Sequence, residues 1–246
     1  MRNPCVAHRG WSGAAPENTL SAIRLAADAP DVDWIEIDVR ISRDGIPMLI
    51  HDAKLRRTTS GSGEVSKYTA QQLSKLDAGR WFSREFTGEK MPTLEQALLM
   101  ASGKVRVNIE LKTDGKRYPD LENKVVELLR RLNMEQNCVI TSFSAEALHK
   151  VRSLSRDVTC GLIVDRWSDR LPDRLNTLGC RFLSIGYGAI NKERLKRLNR
   201  EGIQTMVWTL NEVRLIRKYA LMDPGLMICT NHPDLWRAAL RSVPQL

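Results

Sequence analysis

A (β/α)8 TIM barrel with a small insertion after the second strand is the fold class this sequence predicts, on three observations. Strand-like segments alternate with helical ones along the chain, eight of them fall into that alternation, and glycines punctuate the helix ends ahead of several strands. The length of 246 residues suits the reading, because α/β barrels of about 250 residues fold as one unit. Residues 1–246 are therefore expected to form a single barrel domain, with residues 53–91 as a small insertion or lid within it.

The eight expected strands are Cys5 to His8, Trp34 to Arg40, Arg106 to Lys112, Val139 to Phe143, Gly161 to Val164, Phe182 to Ile185, Thr205 to Thr209 and Leu226 to Thr230. Gly103, Gly179 and Gly202 sit where a helix ends in the left-handed conformation. Asn18 precedes an apolar-periodic stretch and reads as a helix cap, Thr93 with Gln96 makes a capping box, and Pro233 suits the first turn of the last helix. An open doubly wound sheet is the competing architecture, but no glycine-rich dinucleotide turn follows the first strand.

The rhythm breaks once. After an extra strand, Pro47 to His51, residues Ala53 to Met91 carry turn signals at Gly61, Gly63, Gly79 and Gly88, with one short helix near Thr69 to Leu76. A segment this long without strong periodicity, inside a compact domain, is expected to be a lid or a binding element.

Composition permits a packed globular core, with 42% hydrophobic and 27% charged residues. The stretch from Met1 to His8 is too short for a signal-peptide core, and no apolar run reaches membrane-spanning length. No stable membrane insertion is expected, and the expected location is cytoplasmic. The five cysteines are odd in number and lack zinc-site spacing, so they read as reduced, buried thiols. The net charge of +9 comes largely from helical stretches such as Asn191 to Arg200, where a solvated outer face accounts for it. No helix-turn-helix or aromatic-interleaved basic motif supports nucleic-acid binding.

The chemistry sits on the second and third strands. Side chains two apart on a strand share a face, so Glu36, Asp38 and Arg40 point one way, and Asn108, Glu110 and Lys112 do the same on the next strand. Carboxylates converging inside a barrel repel one another unless a cation neutralises them, and hard oxygen ligands suit Mg²⁺ or Ca²⁺. The plainer alternative is salt bridging of Glu36, Asp38 and Glu110 to Arg40 and Lys112. The first strand ends in His8-Arg9-Gly10 and the extra strand in His51-Asp52. Two imidazoles can divide general-acid and general-base work, and a guanidinium can grip a phosphate through paired N–H donors. His149, in a helical stretch, reads as surface.

Taken together, His8-Arg9-Gly10, Pro16-Glu17-Asn18-Thr19, Glu36-Ile37-Asp38-Val39, Asp44-Gly45, His51-Asp52, Asn108-Ile109-Glu110-Leu111-Lys112, Val207-Trp208-Thr209 and Thr230-Asn231-His232-Pro233-Asp234 resemble, in order and spacing, the glycerophosphodiester phosphodiesterase family. Asn231 departs from it, since many relatives carry an aspartate there. The resemblance implies metal-dependent hydrolysis of a small-molecule glycerophosphodiester to glycerol 3-phosphate and an alcohol. It implies Glu36, Asp38 and Glu110 as ligands of the divalent metal, His8 and His51 as the acid/base pair, Arg9 and Lys112 as phosphate contacts, and Trp208 beside the glycerol. Glu17 would orient Arg9 from behind. Two other readings stay open. One is a lysophospholipase D or sphingomyelinase D acting on lipids, to which Trp81, Phe82 and Phe86 of the insertion would lend an apolar rim; the other is a non-catalytic phosphodiester-binding barrel. The head-group alcohol, the native metal and the oligomeric state are not legible in the sequence.

Overall fold

The computed structural model describes residues 3–113, 118 and 120–241; Met1 and Arg2, read above with the N-terminal stretch, lie outside them. Among the described residues nine strands form one sheet: β1 Cys5–His8, β2 Trp34–Ile41, β3 Pro47–Leu49, β4 Arg106–Leu111, β5 Cys138–Ser142, β6 Thr159–Val164, β7 Phe182–Gly186, β8 Gln204–Trp208 and β9 Met227–Thr230. Their order is β1-β9-β8-β7-β6-β5-β4-β2-β3, and parallel pairing of β1 with β2 closes eight of them into a barrel. β3 lies antiparallel against β2, with Val39 opposite Leu49. The TIM-barrel expectation is met, and each expected strand falls within a few residues of its observed position.

Alternation sets the two faces. Ile35, Ile37 and Val39 of β2 join the large cluster between strands and helices, with Ile109, Ile140 and Ile185 from later strands. The opposite face of the same strands fills the barrel, where Val6, Trp34, Val139, Phe182, Met206, Met227 and Cys229 make a second cluster. The barrel is thus a packed plug of apolar side chains at one end, and the polar residues of the same inward face lie nearer the C-terminal ends of the strands. Gly161 keeps that interior tight: a side chain there would meet Phe182 at 2.8 Å.

Helix ends follow local chemistry. Gly103, Gly179 and Gly202 have φ of 72°, 64° and 69°, the left-handed conformation expected of them. The Thr93–Gln96 capping box is formed, and helix α3 spans Leu94–Ala101. The last helix, Pro233–Arg241, begins at the expected proline. Asn18 does not cap helix α1 (Leu20–Ala27): Thr19 does, its hydroxyl accepting from the Ala22 N–H. Asn18 stands one residue earlier, at φ 57°, and its side chain is engaged elsewhere, as described below.

Between β3 and α3 the chain folds around its own cluster of Met48, Ile50, Leu55, Val65, Leu73 and Met91. The expected short helix is there, at Ala70–Leu73 behind the cap Thr69, and the remainder is 3₁₀ turns and loops. Trp81, Phe82 and Phe86 stack edge-on upon one another, at 5.8 and 5.7 Å between ring centroids. All five cysteines are buried, and burial pushes the thiols of Cys138 and Cys160 up to about 12. No helix of the described residues is long and apolar enough to cross a membrane.

Candidate active site

Parallel pairing delivers the expected residues to one place. The register sets His8 beside Glu36, and Asp38 beside Glu110, so an imidazole and three carboxylates come from adjacent positions on β1, β2 and β4. One oxygen each of Glu36, Asp38 and Glu110 lies within 4.8 Å of the other two. Glu36 and Glu110 line a cavity of about 200 Å³ together with His8, Arg9, His51, Lys112, Phe143 and Trp208.

The turn after β1 is built for this. Arg9 has φ 57° and Gly10 φ 77°, and a side chain at Gly10 would meet the Ala22 backbone at 2.7 Å. Holding an arginine in the left-handed region costs on the order of 1 kcal/mol, and it aims the Arg9 N–H at Glu36 Oε2, 3.0 Å away. The guanidinium of Arg9 places Nε 3.2 Å from Asp38 Oδ2 and Nη1 2.8 Å from Glu17 Oε1. Asn18 clasps Asp38 from behind: its Nδ2 donates to Asp38 Oδ2 at 2.8 Å and its Oδ1 accepts from the Asp38 N–H at 3.0 Å.

Charge in this cleft is out of balance. Lys112 Nζ lies 3.0 Å from Asp38 Oδ1 and 2.5 Å from Glu110 Oε1, so Arg9 and Lys112 are two cations among three buried carboxylates. Burial pushes Asp38 up, but Lys112 and Arg9 outweigh it and hold that carboxyl well below the usual range. Glu36 is driven far up by burial and by Asp38 and Glu110 beside it. Glu110 is raised to about 7, by burial first and Asp38 second. Glu36 Oε1 is buried without a hydrogen-bond partner, while the buried Asp38 Oδ1 and Glu110 Oε1 share the single Lys112 ammonium. Three inward oxygens, carrying more negative charge than their neighbours cancel, are the donor set a hard divalent cation takes.

Two imidazoles flank the carboxylates, each steered by an acceptor. Asn231 Oδ1 stands 2.6 Å from His8 Nδ1, a contact that suits the tautomer with its proton on Nδ1 and its lone pair on Nε2. His8 Nε2 lies 3.8 Å from Glu36 Oε2. Burial first, then the Arg9 charge, lowers His8 to about 4. Asp52 Oδ1 stands 2.7 Å from His51 Nδ1; the His51 imidazole is lowered by burial, against the pull of Asp38.

Sequence reasoning missed the residues behind these. Arg57, on the 3₁₀ turn Leu55–Arg57 of the insertion, donates from Nε and Nη2 to Asp52 and from Nη1 and Nη2 to Glu17, at 2.7 to 3.1 Å. It thereby ties the partner of His51 to the partner of Arg9. Arg40, expected to face the acids, turns instead to backbone: its Nε and Nη1 donate to the carbonyls of His51 and Lys112. Phe143, at the end of β5, packs edge-on against Trp208 at 6.3 Å. His149 is exposed on helix α5 (Ala145–Leu154), as expected.

A barrel mouth that brings carboxylates, imidazoles, a guanidinium and an ammonium together in one cleft holds the groups that a metal-assisted hydrolase of phosphate esters needs. Residues 8–235 match the sequence profile described as the Glycerophosphoryl diester phosphodiesterase family. The chain is 33% identical over 217 residues to a glycerophosphodiester phosphodiesterase of Caldanaerobacter subterraneus, covering 86% of this chain and 87% of that one. It is 32% identical over 250 residues to one of Bacillus subtilis, covering 94% and 84%. The structure is similar to that of an Oleispira antarctica phosphodiesterase in complex with the product sn-glycerol-3-phosphate, with a TM-score of 0.89, 31% identity and 98% of each chain covered. It is also similar to a glycerophosphodiester phosphodiesterase from Agrobacterium tumefaciens, with a TM-score of 0.83, 30% identity, and 96% and 99% covered. The chain belongs to the glycerophosphoryl diester phosphodiesterase family, a family of phosphoric diester hydrolases.

Proposed function

We propose that the chain hydrolyses small glycerophosphodiesters to glycerol 3-phosphate and a free alcohol, with a divalent cation, Mg²⁺ or Ca²⁺, held by Glu36, Asp38 and Glu110. The observation that carries this reading is the meeting of those three buried carboxylates within 4.8 Å, with Glu36 Oε1 left without a hydrogen-bond partner and only Arg9 and Lys112 as cations among them. A cation there supplies positive charge against the phosphoryl oxygens and lets Glu36 and Glu110 ionise. The product carried by the Oleispira relative is consistent with the substrate class.

The protein groups divide the remaining work. His8 and His51, each with Nδ1 tied back and Nε2 left for the cleft, serve as the acid/base pair: one removes the proton of the neighbouring glycerol hydroxyl as it attacks phosphorus, the other protonates the departing alcohol. The cyclic glycerol phosphate so formed is opened by water. Arg9 and Lys112 offset charge on the equatorial oxygens, while Trp208 and Phe143 wall the apolar side of the glycerol. Residues 53–91 are an insertion within one barrel domain, which supplies Arg57 to the site. Five reduced cysteines suit a cytoplasmic enzyme.

The test is release of glycerol 3-phosphate from a panel of glycerophosphodiesters, and from acylated counterparts, with Mg²⁺, Ca²⁺ or chelator. Cation-dependent release from the water-soluble diesters is expected. Full activity in excess chelator, or turnover of the acylated substrates alone, would contradict the reading.

A further inference from the structure

The catalytic cavity does not end at Trp208. Trp208 and Thr209 also line a larger groove, of about 520 Å³, whose other walls include Asp165, Trp167, Tyr187 and Arg194. The groove therefore continues outward from the cavity over the ends of β6, β7 and β8. Its floor is held open by backbone: Gly186 and Gly188 lie along it, a side chain at Gly186 would meet the Asp165 carbonyl oxygen at 3.1 Å, and one at Gly188 would project into open space.

The walls are fixed in place. Arg194, in helix α7 (Lys192–Arg200), lays its guanidinium over the Trp167 ring at 5.1 Å and donates from Nη1 to the Ala189 carbonyl at 2.7 Å. Trp167 Nε1 donates to Asp169 at 3.0 Å. Tyr187 is braced edge-on against Tyr219, at 5.7 Å between ring centroids. Among the described residues no carboxylate lies within ion-pair distance of Arg194, so a held cation with spare N–H donors faces the groove. Asp165 adds an exposed carboxylate.

From this juxtaposition we infer that the groove is the subsite for the leaving alcohol and that it selects a polyhydroxylated head group, of the glycerol or cyclitol class, over a quaternary ammonium. Aromatic walls with one fixed donor and one acceptor match the alternating C–H faces and hydroxyls of a polyol. A trimethylammonium head group gains less, because Arg194 already covers a face of Trp167 and, with Arg166 beside it, outnumbers Asp165 in charge.

This inference rests on the phosphodiesterase reading, and its test separates the two. In the wild-type protein and in Arg194→Gln and Trp167→Leu, kcat/KM is measured for glycerophosphoinositol, glycerophosphoglycerol, glycerophosphocholine and the methyl ester of glycerol phosphate, whose head group is too small to reach the groove. The wild type is expected to favour the two polyol substrates. Arg194→Gln is expected to lower both about 10-fold, the effect of losing a charged donor, while the methyl ester is turned over as before. Methyl ester turnover also reports that each variant is folded. Equal kcat/KM for all head groups, a preference for the choline ester, or an equal fall on all four substrates in Arg194→Gln would overturn the inference while leaving the phosphodiesterase reading intact. Failure of the wild type on every substrate would end both.

Discussion

Arg57 and Asp52 meet fork to fork, with Nε and Nη2 of the guanidinium 2.7 and 3.1 Å from the two carboxylate oxygens. The same guanidinium reaches Glu17 at 2.8 Å, and Asp52 is held down to about 2, chiefly by the Arg57 hydrogen bonds. One insertion residue thus fixes the acceptor behind His51 and the acceptor behind Arg9. A supporting residue of this kind is worth about 10- to 100-fold in activity. Arg57→Ala is expected to lower kcat by about 10-fold without unfolding the protein, since Arg57 is 43% exposed. Arg57→Lys should restore little, because one ammonium cannot offer two planar forks. Steady-state kinetics with a thermal melt checks this, and an unchanged kcat in Arg57→Ala would disprove it.

The two histidines should be indispensable to turnover and dispensable to folding. His8→Ala and His51→Ala are each expected to cost about 10²- to 10⁴-fold in kcat, the range of general acid–base catalysis. Near-normal turnover in either variant would remove that residue from its role.

Cation affinity should rise with pH and release protons. Glu110 is raised to about 7 and Glu36 lies far above its ordinary value, so below neutrality the cation-free site holds protons that binding must expel. Affinity is expected to weaken as pH falls from 8 to 5, with calorimetric heats that differ between buffers of different ionisation enthalpy. In the cation-free protein the sign for stability follows from the same shift: the folded state of Glu110 binds its proton more tightly than the unfolded chain, so this contribution is lost as pH rises from about 4.5 to about 7. Affinity independent of pH across that window would contradict the charge assignment.

Asn18 and Thr19 should separate cleanly. Thr19→Ala removes a helix cap and is expected to cost about 1 kcal/mol of stability with little change in cation affinity. Asn18→Gly keeps the left-handed backbone comfortable but removes both hydrogen bonds to Asp38, and is expected to weaken cation binding about 10-fold. The opposite pattern would return Asn18 to the role of a cap.

That pair also marks the limit of what the sequence makes legible. The strands, the inward acids Glu36, Asp38 and Glu110, and the histidines at strand ends follow from period-two alternation and from the barrel rule that functional groups gather at C-terminal ends. Asn18 and Thr19 are both good caps by residue type, and only the tertiary pull of Asp38 on Asn18 decides between them. Arg57 gave no signal, since its partners Glu17 and Asp52 lie 40 and 5 residues away and meet only once the insertion has folded. Arg40 shares the inward parity of Glu36 and Asp38, yet its longer side chain reaches past them to backbone carbonyls that no periodicity reveals. The groove walls Trp167 and Tyr187 stand beyond the strand ends, where alternation carries no information.

Cation binding by the three carboxylates is tested most directly by a crystal structure of the protein soaked in Ca²⁺, with anomalous differences recorded. A single ion is expected, bonded to one oxygen from each of Glu36, Asp38 and Glu110 at about 2.3 to 2.6 Å, and lost in Glu110→Gln. An ion bound elsewhere, or those three carboxylates left uncoordinated at saturating Ca²⁺, would contradict it.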